Sequence, residues 1–255
     1  MSKFIDRLNR VARVAPQAMG FGRVQLAAEK SKILLVAALA EANLDNAADY
    51  VDGADAGLLP VVKPDAGARD IQRMSELLSE IPWGGWFKGA KPGEVKAGCD
   101  FVVFSPTETP LTMLPAEDIG RVLEVESSVS GDSLVAINGL PVDAVLVASE
   151  EGDYSLTWHH LMQFRRFADF VDKPLLVSVP SNVTADELRV LWEVGVDGAV
   201  IRVGRGKPVG GLKALCQAVD KLTFPVQRRR GKPEAVIPRL GRDAGIATEE
   251  EEDED

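Results

Sequence analysis

The chain has 255 residues, 45% of them hydrophobic and 27% charged, a balance that supplies apolar surface for a large core and excludes global disorder. Its formal net charge of −10 is concentrated at one end, because Glu249, Glu250, Glu251, Glu252, Asp253, Glu254 and Asp255 are all acidic and the rest carries only about −3. That balance argues against nucleic acid as a partner, and the longest apolar runs, such as Ile33–Ala40, fall well short of the roughly 20 residues a membrane helix needs.

In chain order, Phe4, Ile5, Leu8 and Val11 recur at helical spacing with Asp6, Arg7 and Arg10 between them, which predicts an amphipathic helix and not a signal peptide. The segment Gly20-Phe21-Gly22-Arg23 does not fit a dinucleotide fingerprint and is read as part of a cap over the bottom of the domain. Two cysteines, Cys99 and Cys216, have neither metal-like spacing nor the number for a disulfide framework, so a reducing cytoplasm is expected.

The organising feature of the next 170 or so residues is a repeated turn in which an Asp leads into a short apolar strand. It occurs as Gly53-Ala54-Asp55-Ala56-Gly57-Leu58-Leu59, Gly98-Cys99-Asp100-Phe101-Val102-Val103, Pro141-Val142-Asp143-Ala144-Val145-Leu146-Val147 and Gly195-Val196-Asp197-Gly198-Ala199-Val200-Ile201. A glycine there suits a helix C-terminus, and the Asp suits the turn into a buried strand. The aspartates are about 45, 43 and 54 residues apart, which is two βα units each, so these are even-numbered strands. Four apolar runs between them supply the odd strands: Ile33–Ala37, Trp83–Phe87, Arg121–Val125 and Leu175–Ser178.

Between the strands, Ala66–Glu80, Leu156–Val171, Thr184–Val194 and Gly210–Leu222 have helical periodicity. Leu44–Val51, Pro92–Ala97, Pro115–Asp118 and Ser133–Leu140 are short for full crossovers. Eight strands alternating with helices predict a closed (β/α)8 barrel, the TIM-barrel architecture, over residues 33–224, with a helical lead-in at 1–32 and a basic-then-acidic tail at 225–255. An open doubly wound sheet is the alternative. Arg228, Arg229, Arg230 and Lys232 begin the tail and read as a solvated run, or as one that pairs with acidic residues of the same or another chain.

The last two strands, Leu175-Leu176-Val177-Ser178-Val179-Pro180-Ser181-Asn182 and Gly195 to Gly204, resemble the seventh and eighth strands of the phosphate-binding TIM barrels, which include thiamine-phosphate, indole-glycerol-phosphate and flavin-dependent enzymes. The resemblance implies that loops after these strands hold a ligand phosphate, here through Ser181, Asn182, Arg202, Gly204, Arg205, Gly206 and Lys207. Val179-Pro180-Ser181-Asn182 stands where the family usually has a glycine pair, and proline has no N–H to donate. FMN is a phosphate-bearing ligand such barrels take, although no residue specifically demands a flavin.

Strand alternation turns Leu123 and Val125 toward the helices and sends Glu124 and Glu126 to the barrel axis. By the same rule Val200 and Arg202 point inward, and Trp86 shares a face with Lys88. The pair Gly84-Gly85 would let something approach the backbone closely. Interior charges must pair, meet water or bind ligand. They form either a structural ion-pair cluster or a site with Glu124, backed by Glu126, as general acid/base and Lys88 as electrostatic clamp or Schiff-base nucleophile. His159 and His160 are the only histidines, so no metal site is expected. Two functions remain: an enzyme of lyase, isomerase or synthase type acting on a small phosphorylated or carboxylated metabolite, or a non-catalytic barrel that binds or assembles, with a protein partner or a second copy, through its charged C-terminal region.

Overall fold

The computed structural model describes residues 2–12, 32–39, 47–61, 64–87, 98–111, 118–148, 155–204 and 210–223. Its strands are β1 (Leu34–Leu39), β2 (Ala56–Val61), β3 (Trp83–Phe87), β4 (Phe101–Phe104), β5 (Gly120–Glu126), β6 (Ala144–Ala148), β7 (Leu175–Val179) and β8 (Gly198–Val203). The described helices are α1 (Lys3–Ala12), α2 (Ala47–Val51), α3 (Pro64–Leu77), α4 (Gly131–Ile137), α5 (Trp158–Phe170), α6 (Ala185–Glu193) and α7 (Gly211–Lys221). All strands are parallel and paired in chain order, and β8 returns to β1 in register from Leu34↔Gly198 to Leu39↔Val203, which closes the barrel and excludes the open sheet. None of the described helices is long and apolar enough to cross a membrane.

The repeated aspartates explain how the strands find their register. Asp55, Asp143 and Asp197 precede even strands, and each carboxylate accepts the backbone N–H at or near the start of the preceding odd strand: Leu35, Arg121 and Leu175, at 2.8, 2.8 and 2.7 Å. The backbone N–H of each of these aspartates donates to the carbonyl of the same residue, so every such turn clips two neighbouring strands together. Gly53, Gly98 and Gly195 stand two residues before their aspartates with φ of 87°, 73° and 101°, a region that strains any residue with a Cβ.

Asp100 departs from the pattern. Its N–H still reaches the Trp83 carbonyl, but its carboxylate accepts from the Ser2 hydroxyl and from the backbone N–H groups of Lys3 and Phe4, at 2.7, 2.8 and 2.9 Å. The second copy of the repeat therefore anchors α1. Three of its apolar residues, Phe4, Ile5 and Leu8, are buried with Leu34, Phe101 and Val122 inside the N-terminal end of the barrel. Phe4 stacks on Phe101 with ring centroids 4.3 Å apart. A Cβ on Gly84 would lie 2.5 Å from the Phe101 ring, so the close approach expected at the glycine pair is made by this aromatic plug.

Side chains sort into two layers. Ala37, Leu123, Val125, Ala199, Ile201 and Val203 pack toward the helices, whereas Val36, Leu58, Trp86, Val103, Val122, Leu146 and Val200 fill the interior. Such strands, covered on both faces, are continuous apolar runs. The short segments Leu44–Val51 and Ser133–Leu140 contribute α2 and α4. Residues 92–97, Gly20-Phe21-Gly22-Arg23 and the segment 225–255 lie outside the described residues, as does most of 115–118.

Candidate functional site

At the C-terminal ends of β3 to β6, where barrels of this architecture present their variable loops, a cavity of about 420 Å³ opens. Glu124 and Glu126 of β5, Ser105, Thr107 and Glu108 after β4, Phe87 and Ala148 line it. The Ser105 and Thr107 hydroxyls are 2.9 Å apart, which ties the turn after β4.

Glu124 is half-buried and faces inward, one position above the interior Val122. Its Oε2 accepts the indole N–H of Trp86 at 2.7 Å, a short charge-assisted bond from a side chain only 5% exposed. Strand register makes this reach possible: Trp86 pairs with Val103 and Val103 with Val122, so the indole spans β4 and meets β5 one inward position higher. The Arg202 guanidinium lies 5.9 Å from the centroid of the same indole, within cation–π range. Arg202 pairs in register with Ala38, a buried residue of the interior layer. Trp86 thus stands between a carboxylate on its edge and a guanidinium against its ring.

Glu126, expected on the axis side, sits at the exposed end of β5, where the strand runs out against Ala148, and accepts from the Ser128 hydroxyl at 3.2 Å. Ser178, buried at 3% exposure one inward position above Leu176 on β7, is an interior polar residue that the apolar run concealed. Trp83 packs in the helix layer. Lys88, Arg205, Gly206 and Lys207 lie outside the described residues.

The two sequence-predicted anion loops differ. After β7, Ser181 and Asn182 form a turn, and Thr184 caps α6 in a reciprocal box: its hydroxyl oxygen accepts from the Glu187 N–H, and the Glu187 carboxylate accepts from the Thr184 N–H. With Asp186 and Glu187 in its first turn, α6 supplies its own negative charge and disfavours an external anion. After β8, Gly204 has φ of 129°, and α7 begins without an acidic residue in its first turn. Arg202 and that helix terminus make β8 the more electropositive side.

Neither cysteine is a ready nucleophile. Burial pushes the Cys99 and Cys216 thiols up to about 12, and each donates to a backbone carbonyl, of Phe101 and Gly53 respectively. The histidines stand in the first turn of α5, where the His160 ring Nδ1 accepts from the Thr157 N–H and the His159 ring contacts Gln163. Among the described residues no group of three or more His, Cys, Asp or Glu is placed to hold a metal.

No family model and no curated protein matches this chain. Among solved structures it is similar to mutant tryptophan synthase alpha-subunits from the hyperthermophile Pyrococcus furiosus. One has a TM-score of 0.55 at 13% identity over 73% of this chain and 96% of that one. Two others have TM-scores of 0.56 and 0.58, each at 14% identity over 74% of this chain and 98% of theirs. At that identity the likeness is one of fold, and it agrees with the closed (β/α)8 barrel.

Proposed function

We propose that this barrel is an enzyme acting on a small phosphorylated or carboxylated metabolite by proton transfer or carbon–carbon bond chemistry, with Glu124 as general acid/base. The observation that carries this reading is the Trp86 N–H bond to Glu124 Oε2 at the cavity. A carboxylate with one oxygen fixed is positioned to exchange a proton through the other. Arg202, with Gly204 and the α7 terminus, supplies the anion-binding side, and Arg205, Gly206 and Lys207 follow it in sequence. Ser181 and Asn182 serve as hydrogen-bonding groups at the neighbouring loop after β7, Glu126 supports Glu124, and Lys88, two residues beyond Trp86, is the electrostatic clamp. FMN is the cofactor to try first. On this reading residues 33–224 are the barrel, 1–32 its lead-in and 225–255 an extension, and two buried thiols suit a reducing cytoplasm.

The test is a thermal-shift screen of the full chain with inorganic phosphate, sugar phosphates and FMN. A saturating ligand should raise Tm by about 5 °C or more. R202A should lose that rise, whereas E124Q should keep it and slow solvent-deuterium exchange into the ligand by about 100-fold or more. Absence of a shift with every compound would move the assignment to the second reading, a non-catalytic barrel that binds or assembles through its charged C-terminal region. One observation favours that alternative: the acidic, self-capped start of α6 in the place where the related barrels take an anion.

A further inference from the structure

A second cavity, of about 280 Å³, lies on the outer surface between the first turns of α5 and α6. Its apolar lining is Leu156, Trp158, Leu161 and Val190, and its charged lining is Asp186 and Glu187. Trp158 is 81% exposed and Met162, one helical turn on, is 71% exposed. Single exposed apolar side chains are ordinary, but a tryptophan and a methionine on one helix face, continuous with an apolar groove, mark a surface that something covers.

The chemistry of the groove selects the occupant. Among the described residues it lacks cations: Arg165 and Arg189 are paired with Asp169 and Glu193, and Arg166 donates to the Val129 carbonyl. Every arginine of α5 and α6 is thus committed elsewhere, and Asp186 has no cationic partner among the described residues. A matching segment is aliphatic and basic. Residues 149–154, which precede α5, carry Glu150, Glu151 and Asp153 and would be repelled. The 32 residues beyond Thr223 contain such a segment, Val236-Ile237-Pro238-Arg239-Leu240, preceded by Arg228, Arg229, Arg230 and Lys232. From Thr223 to Val236 the chain can span about 40 Å at roughly 3.3 Å per residue, and α7, where the described chain ends, packs against α6.

We propose that the α5–α6 groove is the docking site of this chain's own segment Val236–Leu240, its aliphatic side chains against Trp158, Leu161 and Val190 and Arg239 against Asp186. The inference is independent of the activity assigned to the barrel mouth.

Tryptophan fluorescence of the full chain tests it. Trp83, Trp86 and Trp192 are 1%, 5% and 2% exposed, so acrylamide quenching reads Trp158. The wild-type protein should protect Trp158 from quenching. Ile237→Glu, outside the barrel, should lower the ratio of docked to undocked chains about tenfold or more and raise quenching with the far-ultraviolet spectrum unchanged. Asp186→Lys, on the exposed side of the groove, should do the same to a smaller degree. Quenching of the wild type equal to that of I237E would overturn the proposal. So would protection that disappears on dilution, because the occupant would then come from a second copy.

Discussion

The indole N–H of Trp86 on β3 donates to Glu124 Oε2 on β5 across the inner face of β4, at 2.7 Å. The bond joins two residues 38 positions apart in sequence and holds an inward-facing carboxylate at the cavity. Trp86→Phe keeps one aromatic ring but removes the donor and the pyrrole half of a buried indole, so stability should fall by about 1–3 kcal/mol for the lost bond and further for the space left behind. Glu124→Gln keeps an acceptor and should lose less. Urea unfolding of both single variants and the double variant would give the coupling between them, and a coupling near zero would contradict the bond.

Asp197 is fully buried and accepts the Leu175 N–H, so Asp197→Ala should leave a buried donor unpaired and cost about 1–3 kcal/mol in chemical denaturation. Asp100→Ala should act at a distance. It removes the acceptor for Ser2, Lys3 and Phe4, and amide exchange should speed up through α1 while β7 and β8 stay protected.

At Asp55 the same turn carries an electrostatic cost. Burial raises its carboxyl above the usual range, although the Leu35 N–H and the Lys32 charge act the other way. The folded state therefore holds this proton more tightly than the unfolded state. Its contribution is fully present below the unfolded pKa and is lost as pH rises through the folded one. Asp55→Asn should gain stability relative to wild type as pH is raised from acid to neutral, and parallel curves would show that the buried charge is compensated.

Gly84→Val should destabilise by about 1–3 kcal/mol through overpacking, because a side chain there would occupy the place of the Phe101 ring. Calorimetry of G84V with Phe101→Ala supplies the check: removing the ring should recover part of the loss.

His160 stands as the third residue of α5 in the capping position that Glu187 holds in α6. Burial, and to a lesser extent the neighbouring His159, lower its pKa, so the folded state favours the neutral ring whose Nδ1 accepts from Thr157. Stability from this cap is fully present above the unfolded pKa and is lost as pH falls through the lowered one. His160→Glu should keep the cap and remove that acid sensitivity, read as the pH dependence of Tm between the two values.

Much of the barrel was legible in the residues themselves. The Asp-led turns identified the even strands, because a buried parallel strand needs an abrupt, hydrogen-bonded entry that recurs once every two βα units. Strand alternation turned Glu124 and Arg202 inward, because a period of two leaves little choice once the apolar partners are known. Partnerships across strands were not legible in the same way. That Asp100 turns from its strand to α1, that Phe101 fills the space over Gly84, and that Glu124 meets the Trp86 indole all depend on shear between strands. Shear is set by the closure of eight strands at once and has no signature in any single segment. Composition and periodicity determined the layers and the facing of this protein, and only the closed tertiary structure decided which inward-facing groups touch.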